Sequence, residues 1–183
     1  MTHKLDIEGM ERELPLCPVS DNLYIAAFVM FGDVEITIHC ARELLARAPA
    51  YDYLIAPEAK AIPLLYEMAR QTEADKYFVA RKGEKAYMTG AFAVQVQSIT
   101  TMHVQRLVID TQDAALIKGK RMLLVDDVIS TGESLRALEE LVTKAGGTVA
   151  GRMAVLAEGD AYYRPDITCL ARLPLFNSDG SIK

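Results

Sequence analysis

Met122-Leu123-Leu124-Val125-Asp126-Asp127-Val128-Ile129-Ser130-Thr131-Gly132-Glu133-Ser134 changes character twice within a short span. The apolar run inside Arg121–Val125 has the length and composition of a buried strand. It ends in two adjacent carboxylates, Asp126 and Asp127. A turn carrying hydroxyls and one glycine follows and opens a helix. In that helix Leu135, Leu138, Leu141, Val142 and Ala145 share a face, and Gly146–Gly147 stop it.

Upstream, Glu13–Asp21 reads as turn-rich because of Pro15 and Pro18. Asp33 reads as a helix N-cap. Val34, Ile38, Ala41, Leu45 and Ala48 recur at helical spacing, so an amphipathic helix is expected over Val34–Arg47, ended by Pro49. Tyr51–Ala56 reads as a buried strand and Pro57–Ala61 as a tight loop. Pro63 sits in the first turn of a helix that continues through Leu64–Arg70. Lys76–Ala80 is a further strand. Arg81–Gly90 is basic and glycine-containing, as suits a mobile loop. Ala91–Ile99 and His103–Asp110 read as paired strands around Thr100–Met102. Downstream, Thr148–Leu156 and Ile167–Leu173 are the last strands. Strands alternating with helices predict an α/β fold with a mostly parallel sheet. Ligands of such sheets gather at the carboxyl ends of the strands, where the paired acids stand.

Each part of the opening stretch has a chemical use. A helix N-terminus offers unpaired N–H groups and a positive dipole end, which together bind phosphate. Gly132 allows close backbone approach to an anion. Ser130, Thr131 and Ser134 carry hydroxyl donors. Asp126 and Asp127 can accept hydrogen bonds from a vicinal diol such as that of ribose, and charged acceptors strengthen such bonds to about 1.5–3 kcal/mol each. The same string has a plainer reading, in which Ser130-x-x-Glu133 is a capping box and the acids are ordinary strand-end residues.

The full ordered string resembles the 5-phosphoribosyl-1-pyrophosphate (PRPP) signature of the type I phosphoribosyltransferases. The resemblance implies that Asp126 and Asp127 hold the ribose hydroxyls and that Ser130, Thr131, Gly132, Glu133 and Ser134 cradle the 5′-phosphate. It implies an α/β fold with a mostly parallel central sheet flanked by helices, and a small hood built from residues 1–32 and the C-terminal segment. A mobile catalytic loop is expected over residues 81–103, all in one domain of 183 residues. Ala56-Pro57-Glu58-Ala59-Lys60-Ala61 is similar to the pyrophosphate loop of the adenine-specific members, usually Gly-x-(Asp/Glu)-(Ala/Ser)-Arg-Gly. Here alanines replace both glycines and Lys60 replaces arginine, which removes a bidentate fork. Arg81-Lys82-Gly83-Glu84-Lys85 resembles the family's Arg-Lys-x-x-Lys stretch. It implies contacts of Arg81, Lys82 and Lys85 with pyrophosphate, beside Glu58, Ala59 and Lys60. Phe31-Gly32-Asp33 fits the adenine-specific Phe-x-Asp, with Phe31 stacking on the base and the backbone at Met30 and Gly32 reading its edge; a buried core aromatic at Phe31 is the alternative. The Glu-Tyr segment of the catalytic loop has no counterpart in Ala91–His103.

The implied activity is transfer of the phosphoribosyl group to a purine base, adenine favoured, in purine salvage. Mg²⁺ is the implied cofactor, held mainly by substrate oxygens and water with Asp126 or Asp127 in reach. A homodimer is the common state of the family. Alternatives are a hypoxanthine, guanine or xanthine enzyme, or a PRPP-sensing regulator of the same fold. Tyr162-Tyr163-Arg164-Pro165-Asp166 comes nearest to the base-binding string of the 6-oxopurine enzymes.

Bulk composition narrows the classes. The chain is 51% hydrophobic and 25% charged, with a formal net charge of −5, so the basic surplus of a DNA binder is missing. No apolar run nears the roughly 20 residues that span a bilayer. Met1–Met10 lacks the apolar core of a secretory signal. Cys17, Cys40 and Cys169 are odd in number and widely spaced, which suits reduced thiols in the cytoplasm rather than disulfides or a zinc site.

Overall fold

The structure is a computed structural model that describes residues 1–97 and 104–183. The apolar run lies within strand β8 (Arg121–Ile129), at the centre of a five-stranded parallel sheet. The order is β10 (Thr168–Leu173), β9 (Thr148–Glu158), β8, β4 (Tyr53–Pro57) and β5 (Phe78–Ala80). Leu123 and Val125 enter one core with helices α1 (Val34–Leu45) and α2 (Ile62–Gln71). Met122 and Leu124 enter a second core with α4 (Glu133–Lys144) and the hairpin of β6 (Ala91–Gln97) and β7 (Val104–Asp110). All four are at most 1% exposed. Burial on both faces explains why this strand is apolar throughout rather than alternating.

The strand runs further than its composition suggests. Ladder pairing with β9 continues through Asp126, opposite Ala154, to Ile129, opposite Ala157. The two acids therefore lie inside the strand, and the turn begins only at Ser130. Helix α3 (Thr111–Ile117) was not anticipated; Asp110 caps it by accepting the Gln112 amide at 3.0 Å. The expected strand pairing of Ala91–Ile99 with His103–Asp110 is found over β6 and β7, whereas Thr100–Met102 lies outside the described residues.

The N-terminal reading needs correction. Glu13–Asp21 is not a turn region but the larger part of strand β2 (Met10–Ser20). With β1 (Thr2–Ile7), β3 (Leu23–Ala26) and β11 (Leu175–Phe176) it forms a four-stranded antiparallel sheet in the order β1-β2-β3-β11. The prolines fit because β2 changes partners midway: β1 covers Met10 to Pro15, and β3 covers Leu16 to Ser20. Pro15 ends the first ladder, and its carbonyl accepts the Ala27 amide at 2.9 Å. Pro18 stands beside a register shift, where a missing N–H is tolerated.

This hood shares its core with the main body, since Leu5, Ile7, Leu14, Met30 and Phe176 pack in the same cluster as α1. The predicted N-cap is present, with Asp33 accepting the Ile36 amide at 3.1 Å. Arg12 of β2 grips that carboxylate at 2.7 and 3.1 Å, so one ion pair joins hood to helix start. The Arg12 guanidinium holds the Asp33 carboxyl below its ordinary range. Among the described residues no helix is long and apolar enough to cross a membrane.

Leu123→Ala removes a fully buried side chain between the sheet and two helices. It should cost about 2–5 kcal/mol, read as a lowered urea midpoint with little change in slope.

Candidate active site

By strand alternation Asp127 falls on the face of Leu123 and Val125. Its side chain is 3% exposed, and Lys60 Nζ stands 2.9 Å from Oδ2. That contact is an ion pair off the line of a hydrogen bond, so Oδ2 is a buried acceptor with spare capacity. Asp126 is oriented locally, its Oδ1 accepting the Asp127 amide at 2.9 Å. Burial, and then the charge of Asp127, push the Asp126 carboxyl well above the usual carboxylate range, while Lys60 opposes that shift. The strand tip thus carries two acids that are costly to ionise together.

The turn beyond them has the shape an anion needs. Gly132 has φ 80°, the left-handed region, and is itself the N-cap of α4 with no side-chain cap. A capping box from Ser130 is ruled out, because the Ser130 hydroxyl donates to Glu158 Oε2 at 2.6 Å. The amides of Thr131 and Gly132 donate to no acceptor among the described residues. The Glu133 amide has a long contact of 3.5 Å with Thr131 Oγ1. These residues line a cavity of about 110 Å³ that includes Asp126, Ser130 and Ser134.

The two flanking strand exits meet through Glu58. Its Oε1 accepts the Lys82 amide at 2.6 Å, and its Oε2 lies 2.7 Å from Arg81 Nε. The backbone of Arg81 also exchanges hydrogen bonds with Val108 at 2.8 and 2.7 Å. Glu58 is therefore a strut between loops, and Arg81 is held by it. The Glu58–Ala59 peptide is cis. Lys60 is committed to Asp127, whereas Lys82 and Lys85 form no ion pair among the described residues. The alanines that replace family glycines are accommodated: Ala56 lies in β4 opposite Val79, and Ala61 has φ −77°.

At the hood edge the Asp33 amide donates to Met30 O at 3.1 Å, closing a turn around Gly32, φ 83°. Met30 is 1% exposed, and the alternative of a buried Phe31 is overturned because that residue is 51% exposed. Two residues have a place beside the turn that the sequence reading did not give them, although Arg164 lies within the Tyr162–Asp166 string. Glu158 ends the buried run Met153–Ala157 as Asp126 ends its own, so an acid at a strand tip was the available signal. Arg164 approaches Gly132 through tertiary contact alone.

Residues 37–178 match the phosphoribosyl transferase domain. The chain belongs to this family. Its five-stranded parallel sheet with an antiparallel hood is the type I phosphoribosyltransferase fold. It is similar to the adenine phosphoribosyltransferase of Petrotoga mobilis, 25% identical over 98% of this chain and 92% of that protein. The orotate phosphoribosyltransferase of Pelotomaculum thermopropionicum is 31% identical over 71% of this chain and 58% of its own. Among solved structures, the adenine phosphoribosyltransferase of Thermoanaerobacter pseudethanolicus superposes with a TM-score of 0.70 at 21% identity, covering 87% of this chain and 95% of that one.

The raised Asp126 carboxyl has a consequence for this phosphoribosyltransferase. Unfolded, the group ionises near about 3.9; folded, it holds its proton to higher pH. The folded state binds more protons in that window, so stability falls as pH rises from about 4. Asp126→Asn should therefore melt higher than wild type at pH 7, and the gap should close by about pH 3, as followed by thermal denaturation across pH.

Proposed function

We propose that this phosphoribosyltransferase transfers the phosphoribosyl group of PRPP to a purine base, adenine favoured, releasing pyrophosphate and a nucleoside monophosphate. The observation that carries the reading is the Ser130–Ser134 turn, with the Thr131 and Gly132 amides unengaged beside a desolvated carboxylate pair. In this reading the turn seats the 5′-phosphate on amides and the α4 dipole. Its hydroxyl donors are those of Thr131 and Ser134, since that of Ser130 is spent on Glu158. Asp126 and Asp127 accept the ribose hydroxyls. A neutral diol suits a carboxylate pair that resists double ionisation, because it adds donors without adding charge.

Lys82 and Lys85 supply positive charge to the departing pyrophosphate, with the backbone of Ala59 beside it, and Lys60 joins them by releasing Asp127. Arg81 contributes while braced by Glu58, so Glu58 acts through its neighbours rather than on the ligand. Bond breaking at the ribose C1 builds oxocarbenium character, which negative charge at the strand tip stabilises, and the base nitrogen attacks from the hood side. Phe31, exposed at the hood edge, stacks on the base, and Met30 shapes the pocket behind it.

Among the described residues no three of His, Cys, Asp and Glu could hold a metal ion together. Mg²⁺ fits as a partner of the substrate diphosphate and water, with the spare acceptor of Asp127 as the protein contact. When bound, it neutralises diphosphate charge. We further read the 183 residues as one domain, acting as a cytoplasmic homodimer in purine salvage, with the part of the expected loop that precedes β6 as its closing segment and without DNA or membrane partners.

Incubation with PRPP, Mg²⁺ and each of adenine, hypoxanthine, guanine, xanthine and orotate tests the reading. Adenine should give the largest kcat/KM. Product from none of them, with PRPP still bound, would instead identify a PRPP-sensing regulator. Asp127→Asn should lower kcat/KM at least about tenfold if that group holds the ribose; unchanged turnover would remove it from the site.

A further inference from the structure

The chain leaving β9 passes through a short 3₁₀ turn, Gly159–Tyr163, and delivers Arg164 to the start of α4. Two of the three guanidinium nitrogens are taken by one carboxylate: Nε donates to Asp166 Oδ1 at 3.1 Å and Nη2 to Asp166 Oδ2 at 2.8 Å. Asp166 is itself 3.7 Å from Arg152 Nε, and Arg152 pairs with Glu139 of α4. The forked grip fixes the plane of the Arg164 guanidinium and leaves Nη1 on the far edge.

That nitrogen stands 2.6 Å from where a β-carbon would sit on residue 132. Gly132 is thus favoured by its positive φ, and a β-carbon there would push the end of the Arg164 side chain aside. Nη1 donates to no acceptor among the described residues. A guanidinium at a helix N-terminus faces the positive end of the dipole, an unfavourable place for a cation, and its carboxylate partner Asp166 engages Nε and Nη2 rather than Nη1. The unengaged Thr131 and Gly132 amides point to the same missing partner. Planar N–H donors beside a ring of amides are the donor set that recognises a phosphate monoester.

We propose that Arg164 is a side-chain ligand of the sugar phosphate seated on Ser130–Ser134, closing over Gly132 from the β9 side. The proposal rests on reading that turn as the 5′-phosphate seat. It also accounts for Glu158, whose carboxylate would otherwise repel the anion it borders. That carboxylate is spent on the Ser130 hydroxyl, and Arg164, six residues on in the same connection, offsets its charge.

Ribose 5-phosphate, which carries the sugar phosphate and no diphosphate, is the probe. Calorimetric titration of the full-length protein should show Arg164→Ala and Arg164→Gln binding it at least about tenfold more weakly than wild type, as loss of a charged hydrogen bond implies. KM for PRPP should rise in both, with kcat and KM for the base within about twofold. The glutamine variant keeps a polar side chain of similar reach beside Asp166, so it carries the test if the alanine variant does not fold. Wild-type affinity for ribose 5-phosphate in either variant overturns the role of Arg164 while leaving the turn's assignment standing. Failure of the wild type to bind ribose 5-phosphate overturns both. A base KM that rises in parallel with a lowered melting temperature marks a structural role and also overturns the proposal.

Discussion

Burial of β8 on both faces is the constraint from which the rest of the site follows. A strand at the centre of a parallel sheet, with helices on either side, cannot expose its tip widely. Asp127 is therefore almost wholly buried, and Asp126 borders the cavity under the turn. Two adjacent carboxylates there repel each other and have lost hydration. The protein answers with one lysine and one backbone amide, which is less than both charges need. The deficit makes the tip receptive to neutral hydroxyl donors and resistant to simple anions, whereas the turn immediately beyond it is receptive to anions. A ligand that is a diol at one end and a phosphate at the other satisfies both.

Parallel strands all exit at one edge, so every loop that leaves the sheet there meets the others. The β4 exit brings Glu58, Ala59 and Lys60; the β5 exit brings Arg81 and Lys82; the β8 exit brings the turn; the β9 exit brings Glu158 and Arg164. The acids among them do not simply add negative charge. Glu58 braces Arg81 and the Lys82 amide, and Glu158 takes the Ser130 hydroxyl. Each spends its charge on positioning a neighbour, which leaves the cations and amides to face outward. Mutation of such an acid would change geometry before it changed electrostatics.

The hood follows another logic. Its sheet is short of core of its own and borrows that of α1, with the Arg12–Asp33 pair as a polar pin at the junction. The same aspartate caps the helix, so a single side chain couples the angle of the hood to the start of α1. Phe31 lies two residues before it, on a turn made tight by Gly32.

The sequence alone determined the parallel α/β core, the strand carrying the paired acids, the Gly132 turn, α4 and the Asp33 cap. Those features depend on period, on short-range turn chemistry and on residues adjacent in the chain, and all of that is written locally. It failed on β2, because Pro15 and Pro18 signal turns unless the partner strands are known to change between them. It missed α3, whose seven residues are too few for a periodic signal. Only the tertiary structure decided that Ser130 serves Glu158 rather than a helix cap, that Glu58 is a strut, that Phe31 stands exposed and that Arg164 lies over Gly132. Apart from the exposure of Phe31, each of those outcomes joins residues from different strand exits. Hydrogen-bond partners across such distances are chosen by how the sheet stacks its loops, and no local pattern in the chain encodes that choice.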